Sequence, residues 1–481
     1  MSLINKNKIY YLLIFFILIF GIYKRFSYYD DGLWSDEWIS FLFSNPQVSL
    51  YKNYINHLSF EGAPPIILIS NFFWTKILGH YYQSVELSSI LYSFASILVL
   101  FFFKMERKKK LFFLFLVSVN PFLIYYAGEI RFYSASVFFG LLSIISFLHI
   151  LKEKKIFIIF LFILTTLISL SINLYFVSVL VSYFFFCLFK NEKKILFFLF
   201  FIFLLFVLVN YYYLINIFTL YHNSGAGGSI NYKFFLGYFF NIFFADKILG
   251  GFFLIFLIFS LFFFRTKIKK ENEIILFTLI IFFSYLIPLV YAIFFSQVTH
   301  PRHLINVVIP LIYLISYFIF RLNIKSNLKL LLIVAILIYS IFVNFKEDKP
   351  YILKPNPNYL VKHITESEIN FLYIPNYIND FNLYFNNNST TSFDRIYGIY
   401  NYFFLYSKNF DNKINIINDD NYLEHDFFWA VCLNNIPDNE NFILSESACL
   451  NNRFLENYEK NKIIKSSGFI LIQFSKKKLD F

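Results

Sequence analysis

Residues 30–38 read Asp30-Asp31-Gly32-Leu33-Trp34-Ser35-Asp36-Glu37-Trp38, directly after the first apolar run. The polar stretch that they open ends at Glu61-Gly62-Ala63-Pro64-Pro65. It holds five carboxylates against one lysine and one histidine, Lys52 and His57. Acid clusters beside a membrane are costly unless they meet water, a metal or a cationic partner. We therefore interpret this stretch as the catalytic face of a membrane enzyme, held in place by the rest of the chain.

The composition is that of a polytopic membrane protein. Of the 481 residues, 58% are hydrophobic and only 15% are charged, whereas about a quarter are charged in soluble domains. Runs such as Leu12 to Phe20 carry no charge at all, which is typical of a segment inside a bilayer. The formal net charge of +12 does not indicate nucleic-acid binding, because the lysines stand in short clusters between apolar runs, where the positive-inside rule places them.

Apolar runs of about 15 to 22 residues predict membrane spans. Eleven such runs occur, at residues 9–23, 83–103, 111–125, 132–151, 156–172, 175–189, 195–214, 251–264, 274–295, 304–320 and 330–345. Every second connection between them is rich in lysine, which predicts a cytoplasmic N-terminus and puts the carboxylate-rich loop on the outer side. The same alternation puts three further segments and the C-terminal part outside: residues 120–131, 219–250 and 296–303.

The expected fold class is a polytopic α-helical membrane protein with a small C-terminal α/β domain. Residues 1–345 are predicted to form the transmembrane catalytic domain, with residues 24–82 as its first outer loop, and residues 346–481 a soluble extracytoplasmic domain. Residues 64–79 are apolar but short and begin with two prolines, which favours a helix lying in the membrane interface.

The C-terminal part contains short apolar runs that predict strands. They lie at residues 370–374, 414–417, 427–433 and 469–474, and residues 454–462 are predicted to be helical. Cys432 and Cys449 also lie there, and whether they form a disulfide outside the cytoplasm is left open.

The acids of the first outer loop are the first candidate site residues. Asp36 and Glu37 are adjacent carboxylates, which can act as a general base and as a metal or hydrogen-bond partner; the alternative is a solvated loop in an aromatic belt. Glu61 precedes two prolines that fix the backbone. It can pair with Asp36 across a site or bind a divalent cation together with it, or it can simply favour a helix N-terminus. His57 is a further candidate ligand or base.

Two more polar segments lie on the same predicted side. Glu129 and Arg131 sit at the mouth of two spans, and Arg302 stands in the third segment. An arginine can grip a phosphate oxygen bidentately. The alternatives are a local Glu129–Arg131 salt bridge and an arginine that extends to lipid headgroups. Acids that deprotonate an acceptor, together with arginines that hold an anion, suit transfer from a phosphate-linked donor whose lipid tail lies among the helices.

Four motifs, in this order and spacing, resemble the ArnT/protein-mannosyltransferase type of GT-C membrane glycosyltransferases, which is glycosyltransferase family 39-like. They read Leu33-Trp34-Ser35-Asp36-Glu37, Phe60-Glu61-Gly62-Ala63-Pro64-Pro65-Ile66-Ile67-Leu68, Tyr125-Tyr126-Ala127-Gly128-Glu129-Ile130-Arg131-Phe132-Tyr133-Ser134 and Pro301-Arg302-His303-Leu304. The resemblance covers about residues 9–345, and the C-terminal part is similar to the soluble domain that many members carry. The motifs are specific for the superfamily and not for the substrate.

The resemblance implies a GT-C fold and transfer of a sugar, with inversion, from a polyprenyl-phosphate donor to a cell-envelope glycan, lipid A or a protein. The reaction would take place at the outer face of a bacterial inner or plasma membrane. Asp36 would be the base or the carboxylate that orients the acceptor, with Glu37 in support. Glu61 would lie near the donor phosphate or a divalent metal, and His57 is a further substrate-binding candidate. Ala63 departs from the family, whose members commonly carry a histidine there.

The resemblance also implies roles for the two other motifs. Arg131 and Arg302 would neutralise the leaving phosphate, by stabilising charge that develops in the transition state. Glu129 and Tyr133 are candidate donor- or substrate-binding residues. Gly128 stands where a glutamine is usual.

Two other functions stay open at the level of the sequence. A transporter or flippase of a lipid-linked saccharide would place charged groups at mid-membrane on broken helices, often within internal repeats. A non-catalytic membrane assembly factor would use its outer domain for binding and would need neither Asp36 nor the two arginines. Membrane lipid and a polyprenyl-linked sugar are the partners that the transferase hypothesis requires.

Overall fold

The computed structural model describes two sets of residues. The helical part covers residues 3–27, 35–60, 65–223, 242–263, 271–294 and 300–345; the C-terminal part covers 363–364, 366–367, 369, 371–373, 415–417, 422–433, 457–466 and 469–477. The chain divides into two compact units, which are described separately. The first comprises Met1–Tyr29, Ser49–Trp74 and Val85–Ile352, and the second comprises Asp30–Val48, Thr75–Ser84 and Leu353–Phe481.

The helices account for most of the first unit. In chain order the described residues form α1 (Leu3–Phe26), α2 (Ser35–Leu42), α3 (Leu50–Phe60), α4 (Pro65–Leu78), α5 (Tyr82–Val99), α6 (Arg107–Ser118), α7 (Pro121–Tyr125), α8 (Tyr133–Ile150), α9 (Ile156–Ile172), α10 (Val177–Lys190), α11 (Lys193–Val209), α12 (Tyr211–Asn223), α13 (Lys247–Phe263), α14 (Asn272–Phe294), α15 (Val308–Arg321) and α16 (Ser326–Val343). Four of the connections between these helices contain a 3₁₀ turn: Leu100–Phe102, Tyr126–Gly128, Leu174–Phe176 and Pro301–Val307. Helix α2 belongs to the second unit.

The chain is an integral membrane protein. Within the described residues, five helices are long and apolar enough to cross a membrane, or up to seven if each bent pair is one span, and further apolar helices are shorter. Ten of the eleven predicted spans overlap one of these helices or a pair of them, and the remaining one, residues 9–23, lies within α1. Large apolar side chains are exposed on the outside, such as Phe157, Phe200 and Phe262, as a lipid-facing surface requires.

Polar links join the helices inside the first unit. The Ser143 hydroxyl on α8 lies 2.7 Å from the Thr166 hydroxyl on α9 and 3.1 Å from the Tyr183 hydroxyl on α10. Ser178 on α10 lies 2.9 Å from Ser284 on α14. Hydrogen bonds of this kind specify which helices pair, because apolar side chains alone distinguish poorly between a neighbouring helix and lipid.

Two of the predicted spans are bent. Helix α6 meets the α7 segment at 51°, and α11 meets α12 at 72°. At the first bend Asn120 caps α7, since its Oδ1 accepts from the Leu123 N–H at 3.0 Å and a proline follows it. At the second bend the Asn210 side chain donates to the Ser171 hydroxyl at 2.9 Å. The first bend leads directly into the turn that carries Glu129 and Arg131.

The second unit contains a five-stranded sheet with the order β2-β1-β3-β5-β4. The strands are β1 (Phe371–Tyr373), β2 (Asn415–Ile417), β3 (Phe427–Leu433), β4 (Tyr458–Ser466) and β5 (Phe469–Lys476). Strand β1 pairs in parallel with β2 and β3, whereas β5 pairs antiparallel with β3 and β4. Buried aromatic side chains form its core, namely Tyr373, Phe428, Tyr458 and Phe474. The four predicted strands are therefore confirmed.

The prediction of a helix over residues 454–462 is wrong for the described residues from Tyr458 onward. Tyr458–Ser466 is an edge strand, paired with β5 from Tyr458 opposite Lys476 to Ser466 opposite Phe469. The lysines and glutamate favour a helix only weakly, and pairing in a sheet overrides that preference. Lysine is in addition common on edge strands, where it discourages pairing with other chains. Whether Cys432 and Cys449 form a disulfide stays open, because the side chain of Cys432 and all of Cys449 lie outside the described residues.

Candidate functional site

The turn between α7 and α8 carries two of the predicted site residues, Glu129 and Arg131, and a third, Tyr133, begins α8. The 3₁₀ turn Tyr126–Gly128 follows α7, and α8 begins at Tyr133. The Ser134 hydroxyl donates to the Tyr126 carbonyl oxygen at 3.0 Å, which closes the turn. The Asn71 side chain on α4 donates to the Ile130 carbonyl oxygen at 3.4 Å. These bonds fix the backbone on both sides of Glu129 and Arg131.

Aromatic rings form the wall of this turn. The Tyr126 and Tyr133 ring centroids lie 4.8 Å apart, and those of Phe132 and Tyr133 lie 4.6 Å apart. Tyr133 is fully buried. Rings in this tilted arrangement present their negative faces to a neighbouring cation.

Both predicted arginines lie against these rings. The Arg131 guanidinium carbon is 5.8 Å from the centroid of Phe132, and the Arg302 guanidinium carbon is 6.0 Å from the centroid of Tyr133. Both side chains are half-buried. The structure thus brings together two arginines that are 171 positions apart in the sequence (302 − 131). A half-buried guanidinium over an aromatic face keeps its planar donors in a fixed orientation.

Glu129 belongs to the same cluster. Its side chain is 2% exposed, and the charges of Glu129 and Arg302 both act on Tyr126. A buried carboxylate is tolerated near positive charge because that charge offsets the cost of its desolvation. We call Tyr126, Glu129, Arg131, Tyr133 and Arg302 the arginine cluster. It has two positive charges and one negative charge, which leaves a net attraction for an anion.

Two asparagine side chains, Asn306 and the buried Asn173, hold the 301–307 segment against α8. The Asn306 side chain donates to the Ser136 hydroxyl at 2.7 Å. The Asn173 side chain donates to that same hydroxyl and to the His303 carbonyl oxygen, each at 3.1 Å. Because Ser136 stands one helical turn after Tyr133, this network sets the distance between Arg302 and the aromatic wall.

Gly140 makes room for this network. A Cβ atom added there would lie 2.7 Å from Asn306 Oδ1 and 3.1 Å from the Phe176 ring. We expect Gly140→Ala to displace Asn306, to lower the thermal unfolding midpoint and to weaken the site, since overpacking costs about 1–3 kcal/mol. Asn306→Ala removes the nearer of these two obstructing groups and leaves only the Phe176 ring. The double variant should therefore lose less stability than the sum of the two single losses, and simple additivity would contradict this account.

Arg25 is a buried arginine to which the sequence motifs assigned no role. It is 1% exposed. Its Nε donates to the Ser93 hydroxyl at 2.7 Å, and its Nη1 donates to the carbonyl oxygens of Gly21 at 2.9 Å and Ser118 at 3.0 Å. Ser118 ends α6, so Arg25 neutralises a helix C-terminus just before the first bend. A signal in the sequence is Gly21, one turn earlier, where an added Cβ atom would lie 3.2 Å from the Ser118 Cβ atom.

The predicted catalytic acids lie in the second unit or outside the described residues. Asp36 and Glu37 are on α2, and Glu37 is 1% exposed. The side chain of Asp36 and that of His57, on α3 of the first unit, are outside the described part. Glu61 lies outside the described residues altogether. The roles of these four residues stay predictions.

Helix α2 is fixed by contacts within its own unit. The Thr75 hydroxyl donates to the Ser44 carbonyl oxygen at 2.6 Å. The His80 ring stacks on Phe41 with centroids 4.3 Å apart, and its Nε2 lies 3.3 Å from the Phe41 carbonyl oxygen. Gly79 adopts a φ of +93°, a conformation that favours glycine and that turns the chain toward this contact.

His80 should make this region sensitive to acid. Burial lowers the pKa of His80, while the hydrogen bond to Phe41 acts in the opposite direction. A lowered pKa means that the folded state holds the neutral ring. The stabilisation is therefore complete above the unfolded value of about 6.5 and is lost as the pH falls through the lowered pKa. We expect the thermal unfolding midpoint to decrease as the pH is lowered from about 7.5 to about 5. The decrease should be smaller in His80→Gln, whose side chain donates a hydrogen bond but does not titrate. Equal pH profiles of the wild type and His80→Gln would contradict this role.

The described residues contain no group of three or more histidine, cysteine, aspartate or glutamate side chains placed to hold a metal ion. The predicted metal pair was Asp36 and Glu61, and neither side chain is in the described part. The divalent cation therefore stays a prediction from the sequence.

Comparisons with known proteins establish the fold. No family model and no curated protein matches the sequence. The structure is similar to crystal structures of ArnT from Cupriavidus metallidurans, one bound to undecaprenyl phosphate and one in the apo state, with TM-scores of 0.53 and 0.50. In both cases the identity is 10%, and the match covers 96% of this chain and 97% of ArnT. The chain has the polytopic GT-C fold of these structures, as its motifs predicted.

Proposed function

We propose that this chain is an integral-membrane glycosyltransferase that moves a sugar from a polyprenyl-phosphate donor to an acceptor hydroxyl. The observation that carries this proposal is the arginine cluster, in which two half-buried guanidinium groups from distant segments lie against buried aromatic rings. Two guanidinium groups suit a phosphate, because their paired donors match its oxygens. The fold supports the same class of substrate, since one of the similar ArnT structures is bound to undecaprenyl phosphate.

The proposed reaction is a single inverting displacement. The acceptor oxygen attacks the anomeric carbon from the side opposite the phosphate and forms the new glycosidic bond. The bond between the anomeric carbon and the phosphate oxygen breaks, and its electron pair leaves with the polyprenyl phosphate. Asp36 takes the acceptor proton as general base, and Glu37 supports it.

The leaving phosphate gains negative charge as that bond breaks. Arg131 and Arg302 stabilise this charge, which is larger in the transition state than in the bound donor, so the stabilisation accelerates the reaction. Glu129 and Tyr133 keep the two guanidinium groups in place. Glu61 and His57 are proposed to bind the donor or the acceptor, and Glu61 with Asp36 would hold a divalent cation if one is required. The proposed displacement is written without a role for that cation in bond making or bond breaking.

Purified protein and a panel of polyprenyl-phosphate sugars test the proposal. The measurement is the release of free polyprenyl phosphate by mass spectrometry, with membrane extract or lipid A as acceptor. We expect release from one donor in the panel, which also identifies the sugar. No release from any donor, together with movement of a lipid-linked saccharide across proteoliposomes, would replace the transferase by a transporter. If the protein shows neither activity, the assembly factor would be the favoured function.

The orientation of the chain is part of the proposal. The alternating lysine-rich connections support a cytoplasmic N-terminus and an extracytoplasmic C-terminal domain, so transfer would take place at the outer face of the membrane. An alkaline phosphatase fused after Phe481 should then be active in whole bacterial cells. An inactive fusion, with a cytoplasmic reporter active at the same position, would reverse the orientation.

A further inference from the structure

His303 stands beside the arginine cluster and is held by aromatic rings. Its ring centroid lies 4.9 Å from that of Tyr175 at an interplanar angle of 19°, and 6.4 Å from that of Phe132 at 25°. The side chain is half-buried. The charges of Arg131 and Arg302 both act on it. The plane of the ring is therefore fixed next to the groups proposed to hold the donor phosphate.

One hydrogen bond assigns the tautomer of this ring. The His300 backbone N–H donates to His303 Nδ1 at 3.2 Å. A nitrogen that accepts a hydrogen bond carries no proton, so the ring is neutral and its proton is on Nε2. Among the residues that the structure describes, no group accepts a hydrogen bond from Nε2. The ring thus presents an uncharged donor next to two charged ones.

We propose that His303 binds an oxygen of the sugar-phosphate donor through Nε2–H, next to Arg131 and Arg302; this rests on the proposed function. A neutral donor contributes direction without adding a third positive charge to the site. The accepting oxygen belongs either to the phosphate or to the first sugar, since both present hydrogen-bond acceptors. Loss of one hydrogen bond to such an oxygen lowers affinity measurably, and more so if the oxygen is charged.

Two substitutions separate the hydrogen bond from the packing. His303→Phe keeps a flat ring against Tyr175 but has no donor, whereas His303→Gln keeps an N–H donor and loses the ring. We expect His303→Phe to weaken binding about tenfold or more, and His303→Gln to retain much of the affinity. His149→Phe is the matched control, because His149 lies in the last turn of α8, at the end away from Tyr133. It should bind as the wild type does.

The probes are undecaprenyl phosphate alone and the sugar-bearing donor that the panel identifies. Equal losses with both probes assign the phosphate oxygen, and a loss with the second alone assigns the sugar. Unchanged affinity in a folded His303→Phe would overturn the role of His303 while leaving the proposed function intact. Failure of the wild type to bind either probe would instead remove the proposed function.

Wild-type protein gives a second measurement that does not depend on the folding of a variant. Protein labelled with ¹⁵N-histidine should show His303 as the Nε2–H tautomer, and undecaprenyl phosphate or the sugar-bearing donor should shift its Nε2 resonance. Its signal is the one that disappears in His303→Gln. A His303 resonance of the Nδ1–H tautomer, or one that neither probe moves, would contradict the inference.

Discussion

Asp36→Asn should abolish transfer while the protein still folds and inserts. The amide has the shape of the carboxylate but cannot take the proton from the acceptor hydroxyl. We therefore expect kcat/KM to fall by about 10²–10⁴-fold, the range that general-base catalysis contributes. Donor affinity should change little, because the loss is in the chemical step. The measurement is polyprenyl-phosphate release under single-turnover conditions, together with the equilibrium binding of the donor.

Asp31→Asn is the matched control for this prediction. It makes the same chemical change in the same acidic stretch, five positions earlier (36 − 31), at an acid to which we assign no role. Comparable losses in both variants would mean that the net charge of the loop matters and that Asp36 is not a specific base. Full activity in Asp36→Asn would remove the base assignment and shift attention to Glu37.

The helices could be predicted from the sequence because their signal is local. A run such as residues 156–172 is predominantly apolar and carries no charge, and α9 covers the same residues, Ile156–Ile172. The bends were harder to predict, since apolar residues continue through them. At the first bend only Asn120 and the proline after it signal a new helix start. Helix α1 (Leu3–Phe26) extends beyond the predicted run of residues 9–23 at both ends, because the lysines there are compatible with a helix.

The contacts that organise the site could not be predicted, because they join residues far apart in the chain. Arg25 reaches the Ser118 carbonyl oxygen, and the Asn344 side chain donates to the Val119 carbonyl oxygen at 2.7 Å. Both stabilise carbonyl groups that α6 leaves free at its end. No local pattern specifies such partners. The alternating lysine-rich connections predicted that Arg131 and Arg302 lie on one side of the membrane, but their common aromatic wall and the stacked His303 required the structure.

Arg131→Ala and Arg302→Ala should each lower kcat/KM for the donor by about 10- to 100-fold, in part through kcat, since a charged hydrogen bond to an oxyanion contributes on the order of 1.5–3 kcal/mol and is stronger in the transition state. Lysine at either position should restore only part of this, because it keeps the charge and loses both the bidentate geometry and the planar contact with Phe132 or Tyr133. If both guanidinium groups hold one phosphate, the double variant should lose less than the sum of the single losses. The kinetics of polyprenyl-phosphate release and the binding of undecaprenyl phosphate measure these losses in the single and double variants.

Arg321→Ala is the matched control, at the far end of the helix that follows Arg302. Arg321 donates to the Glu271 carboxylate at 2.7 Å in a pair that is partly exposed on both sides. Such a pair contributes only about 0–1 kcal/mol, so its loss should leave donor kinetics unchanged. A loss in kcat/KM as large as that of Arg302→Ala would indicate a general dependence on positive charge. Wild-type donor kinetics in both Arg131→Ala and Arg302→Ala would instead exclude the phosphate clamp. The buried aromatic wall would then need another ligand to explain why two arginines are held against it.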